Sequence, residues 1–82
     1  MNTTNQIKRF ALLALARMSG EPMPADVLRD TLRVAFHGLT AGDLDRAVRE
    51  LEADGYIAGS HVDLIGVLWV LTAKGHAKVV TL

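Results

Sequence analysis

Arg46 and Arg49 stand three residues apart in the stretch LTAGDLDRAVRELEADGYI (residues 39–57), its only two cations against five carboxylates. A guanidinium offers a planar fork of donors that matches a carboxylate, a phosphate or the guanine edge. The chemistry open to this pair is therefore recognition of an anion or a base, or an internal salt bridge. Placed at 100° per residue, the centre of the outward face is Gly42, Arg46, Arg49 and Ala53. Asp43 and Glu50 lie on one shoulder, Asp45 and Glu52 on the other. Small residues beside the arginines permit close approach of another surface. The same spacing allows the opposite outcome. Asp45 to Arg49 and Arg46 to Glu50 are i, i+4 pairs, and Asp43 to Arg46 is i, i+3. Such pairs contribute about 0.2–0.5 kcal/mol each on a solvated helix face.

Other chemistry finds few residues to perform it. His37, His61 and His76 are too far apart for a helical metal pair, and no HExxH, phosphate-loop, dinucleotide-fold or nucleophile-elbow pattern occurs. Asp43 with Asp45 and Glu50 with Glu52 are two apart, so on a helix they diverge rather than converge. Cysteine is absent, which removes a thiol nucleophile, a disulfide framework and any cysteine-built metal site. The expectation is a binding protein, with no catalytic residue, metal or cofactor.

Three helical patterns position these residues. The first runs from about Asn5 to Met18, with Ile7, Phe10, Ala11, Ala14 and Met18 on one face, and residues 1–4 are expected as a flexible N-terminus ahead of a single domain over 5–82. Lys8 and Arg9 before FALLALA give it the outline of a short signal peptide, but Arg17 follows at once and the helical periodicity favours a core helix. Ser19 to Met23 form a breaker cluster, after which Pro24 suits a first helical turn. A second helix then extends to about Phe36. Its stripe is Ala25, Leu28, Leu32, Ala35 and Phe36, with Asp26, Arg29, Asp30 and Arg33 opposite, and His37 and Gly38 supply end signals. The third helix begins at Thr40, which with Asp43 makes a capping box using aspartate for the usual glutamate. Leu44, Ala47, Val48 and Leu51 give it a buried stripe, and Gly55 stops it.

Beyond Gly55 the pattern changes. YIAGSHVDLIGVLWVLT is rich in branched and aromatic residues punctuated by Gly59 and Gly66, which predicts a β-hairpin. Its return strand, Val67 to Leu71, is apolar on both faces, with Trp69 read as core, so both faces need cover. Thr72 is a plausible N-cap for a short terminal turn that Gly75 is expected to interrupt.

Size and charge bound the rest. Eighty-two residues, half of them apolar, make one small folded domain. Nine acids balance nine bases, so any nucleic-acid contact must come from a local cluster rather than an overall positive field. No apolar run is long enough to span a bilayer, and a cytoplasmic protein without a membrane partner is expected.

Three helices, a hairpin, DGYI (Asp54–Ile57) at the exit of the third helix and LTAKG (Leu71–Gly75) after the hairpin together resemble the winged helix-turn-helix superfamily, over nearly the whole chain. The resemblance implies an α+β fold in which the third helix enters the major groove of duplex DNA and the hairpin, or wing, meets its backbone or minor groove. For this chain it implies a small transcriptional regulator of bacterial or phage type, contacting double-stranded DNA through Thr40, Gly42, Arg46 and Arg49, with Arg29 and Arg33 in support. Some members of the superfamily bind proteins with the same surfaces. That alternative, an inhibitor or adaptor, draws on the acidic shoulders and on the wing, which has no lysine or arginine between Gly59 and Gly66 but presents Leu64 and Ile65. Those two residues either fold back on the core or meet a protein partner. Leu12, Leu13 and Ala16 make the first helix apolar nearly all round. A homodimer through Leu12 and Leu13 or through the wing would cover it, as would the C-terminal segment.

Overall fold

A computed structural model describes residues 3–82. Among these residues the order is α1 (Thr3–Ala16), β1 (Met23–Pro24), α2 (Ala25–Ala35), α3 (Ala41–Ala53), β2 (Ile57–Val62), β3 (Gly66–Leu71) and α4 (Ala73–Val80). The fold is α+β, with four helices and one antiparallel sheet in the order β1-β3-β2. The expected three helices and hairpin are present. A short strand and a complete fourth helix are added to them.

α1 is the hub, packing against α2, α3, α4 and β3. Contact on several sides demands a broad stripe, and Ile7, Ala11, Leu12, Ala14 and Leu15 are all buried. This corrects the expectation for Leu12. At 3 % exposure it belongs to the core, where burial of such a side chain stabilises by about 1.5–3 kcal/mol, and it offers nothing to a second copy. Leu13 stays half-buried. The helix begins at Thr3, so Thr3 and Thr4 are helical, while the rest of the N-terminal segment expected to be flexible lies outside the described residues. It ends at Ala16. Ser19 and Gly20, both at positive φ, then make the centre of a tight turn closed by the Glu21 N–H on the Met18 carbonyl at 3.0 Å.

The breaker cluster contains a strand as well as a turn. Met23 and Pro24 pair with Trp69 and Leu68, which makes β3 the central strand. A proline is tolerated there because β1 is an edge. Pro24 is the N-cap of α2 rather than part of its first turn. Leu28 and Leu32 are buried as expected, and Phe36 packs edge-on against Phe10 with ring centroids 5.6 Å apart. Ala35 is exposed, as are Val27 and Val34, so α2 carries an apolar face that the chain itself does not cover.

α3 is closed at both ends by local chemistry. The Asp43 N–H donates to the Thr40 hydroxyl and the Thr40 N–H to the Asp43 carboxylate, each at 3.1 Å, completing the capping box. At the other end Gly55, at φ +82°, lets the Tyr56 N–H reach the Leu51 carbonyl and its own N–H reach Glu52, both at 3.0 Å. That is a Schellman motif, which needs a left-handed residue at this position. Leu44, Ala47 and Leu51 face the core.

In the hairpin Gly59 lies opposite Trp69, whose ring covers it: a Cβ at 59 would come within 2.7 Å of the ring. Ile57, Leu71 and Met23 are buried and Trp69 packs on the core, while Leu68 and Val70 stay half-buried on the opposite face. α4 runs unbroken through Gly75, against expectation. Its first turn lies so close to the α3–β2 junction that a Cβ on Gly75 would collide with the Tyr56 carbonyl oxygen. The residue is glycine because of that approach.

DGYI and LTAKG, separated by the hairpin, meet at this junction. The Thr72 hydroxyl donates to the Gly55 carbonyl at 2.6 Å and accepts from the Gly75 N–H at 3.0 Å. The Thr72 N–H donates to the Tyr56 carbonyl, and the Lys74 ammonium to the Asp54 carbonyl at 2.6 Å while lying 5.0 Å from the centre of the Tyr56 ring. The two motifs are one clamp holding α4 to the end of α3.

Candidate nucleic-acid interface

The capping box and Schellman motif set the ends of α3, and the buried Leu44, Ala47 and Leu51 set its rotation. Together they turn Gly42, Arg46 and Arg49 outward, and all three are exposed. None of the i, i+3 or i, i+4 pairs open to the arginines forms. Among the described residues Arg46 and Arg49 have no ion pair.

Four of the five carboxylates are occupied elsewhere. Asp43 closes the capping box. Asp45 faces Arg29 of α2 at 3.9 Å, and Glu50 and Asp54 face Lys8 of α1 at 3.9 and 4.0 Å. Only the Glu52 side chain, among the described residues, lacks such a partner. Each pair is about half open to solvent on its acidic side and contributes about 0–1 kcal/mol to stability. Their greater consequence is charge placement. From Thr40 to Asp54 the helix carries −3, and Lys8 and Arg29 bring that surface to −1.

The Asp43 carboxyl is held below its ordinary value of 3.8, first by the Thr40 backbone N–H, then by the Thr40 hydroxyl, and to a smaller extent by the Arg46 charge. This bears on Thr40 as a contact. Its N–H is consumed by the cap, and an anionic carboxylate already occupies the N-terminus of α3, where a phosphate would otherwise be attracted. The Thr40 hydroxyl proton is turned to the same carboxylate, so Thr40 has no polar hydrogen left to offer a phosphate.

The helix 2 cations divide. Arg29 and Arg49 line a cleft of about 210 Å³ between α2, α3 and β3, together with Asp45, Val48, Val67 and Trp69. Arg33 and Arg46 lie outside it, both exposed and, among the described residues, without ion pairs. Trp69 thus edges the cleft as well as the core. Alternation along β3 places it on the helix side of the sheet, but no sequence signal places it beside Arg49. Lys8 was equally hidden, because the acids it holds lie more than forty residues away.

At the hairpin tip Leu64 is fully exposed and Ile65 59 % exposed. They do not fold back on the core. The Ile65 N–H donates to the Val62 carbonyl at 3.2 Å, and Leu64 has φ +69°, the third position of a type II turn, where glycine is usual. Holding a branched residue there costs about 1 kcal/mol.

No group of three or more His, Asp or Glu side chains converges as metal ligands would among the described residues, and no helix among them is long and apolar enough to cross a membrane. The chain matches no known family model, curated protein or solved structure.

Proposed function

We propose that this protein binds duplex DNA as a small transcriptional regulator of the winged-helix kind, with α3 in the major groove and Arg46 and Arg49 reaching base edges or phosphates. It acts as a binding protein in the cytoplasm and not as an enzyme. One observation carries the reading: among the described residues the two outward arginines of α3 have no ion pair, while four of its five acids are engaged by Thr40, Arg29 and Lys8. An arginine fork without a partner beside Gly42 is suited to guanine O6 and N7. Arg29 supports it from the cleft, and Arg33 adds an exposed cation at the end of α2. With a local charge of −1, nonspecific attraction is weak, and affinity has to come from few direct contacts.

The test is a titration of labelled duplex at low salt with the wild-type chain and with Arg46→Ala/Arg49→Ala. Wild type binds and weakens as salt rises. The double variant loses about tenfold or more in affinity, and its log–log salt slope falls by about one for each arginine that touches phosphate. Equal affinity for both proteins would sink the reading. A second reading, a protein-binding module such as an inhibitor or adaptor, is favoured by the exposed Leu64 and Ile65 on a tip without basic residues. It predicts a protein partner lost on Leu64→Asp, with duplex binding absent.

A further inference from the structure

We infer that the chain self-associates by seating the hairpin tip of one copy in the groove between α1 and α2 of another. The groove, about 210 Å³, is lined by Phe10, Leu13, Met18 and Met23, with Thr31 on its α2 side and the exposed Arg17 beside it. A neighbouring depression shares Phe10 and Leu13 and adds Arg9. The apolar surface extends along α2, where Val27, Thr31 and Val34 follow at i, i+4 and i+7 and the two valines are 46 % and 76 % exposed. Apolar side chains grouped in this way and rimmed by charge are the kind of surface a partner covers.

Charge and shape select a second copy as the occupant. The tip offers Leu64 and Ile65 as an apolar knob with Asp63 next to them, and among the described residues neither Asp63 nor Arg17 has an ion pair. Knob enters groove, and Asp63 meets Arg17. Pairing α1 with α1 would instead bring Arg9 and Arg17 of both copies together. Each chain has one tip and one groove, so a two-fold pair uses both contacts reciprocally and closes. The zero net charge of the chain sets no overall repulsion between copies. No residue of α3 takes part, so this pairing stands or falls independently of DNA binding.

The absence of cysteine makes the test direct. Leu13→Cys and Leu64→Cys chains, mixed and mildly oxidised, should give the mixed cross-linked dimer in preference to either like-with-like dimer. Sedimentation equilibrium of the wild-type chain should show a dimer that Asp63→Arg weakens about tenfold and that Arg17→Asp/Asp63→Arg restores. Both positions are exposed, and circular dichroism checks that each variant stays folded. A wild-type chain that remains monomeric at about 100 μM overturns the inference. So does cross-linking only between like positions, or a dimer indifferent to Asp63→Arg.

Discussion

The α3–α4 junction and the outward face of α3 belong to the same helix but use their polar groups in opposite ways. At the junction the Asp54, Gly55 and Tyr56 carbonyls, the Thr72 hydroxyl and the Lys74 ammonium all bond to one another's segments. On the outward face Arg46 and Arg49 have no ion pair among the described residues. Polar groups saturated inside a fold report on its construction, and groups left open report on what can come from outside. Both regions read as motifs in the sequence, and only their bonding separates them. DGYI and LTAKG, which suggested a family of DNA-binding proteins, are the constructional pair.

The comparison is broken most forcefully at Gly75. Gly75→Ala drives a Cβ into the Tyr56 carbonyl oxygen, and destabilisation of roughly 1–3 kcal/mol is expected by denaturant unfolding. Duplex affinity of the folded fraction should not change. A stability equal to wild type would show that the clamp is looser than its contacts indicate. On the outward face Gly42→Ala should do the reverse. Its Cβ meets only the Thr40 hydroxyl oxygen at an ordinary 3.7 Å, so the alanine should stabilise α3 by about 0.5 kcal/mol, short of the helix-interior value because Gly42 is in the first turn. The added methyl also thickens the strip beside Arg46, so binding should fall while stability rises. Parallel changes in both would mean that the strip does not touch the ligand.

The smallest effect concerns Asp43. Its carboxyl titrates below 3.8 in the folded chain, so its contribution is fully present above that ordinary value and is lost as pH falls through the lower folded one. A carboxyl NMR titration should place the midpoint under 3.8, and Thr40→Ala should move it back up. A midpoint at or above 3.8 in the wild type would mean that the capping box does not persist in solution.

The legible parts of this molecule were those written in short windows. Thr40 with Asp43 announced the start of α3, Gly55 its end, and the change from helical periodicity to branched and aromatic residues the hairpin. Leu28, Leu32, Leu44, Ala47 and Leu51 fell in the core where their spacing put them. β1 was hidden because two residues carry no periodicity, and Gly75 misled because a glycine inside a helix has the same local signature as one that ends it.

By itself, then, the sequence determined the first three helices, both ends of α3, the hairpin and the outward placement of Arg46 and Arg49, since each depends on neighbours within a turn or two. Tertiary structure alone decided that Leu12 points inward, that Leu64 and Ile65 stay in solvent, and that Lys8 and Arg29 reach the acids of α3. It also decided whether those arginines would bind their own helix. Local spacing permitted several such pairs. The competing cations came from α1 and α2, from parts of the chain that only packing brings within 4.0 Å.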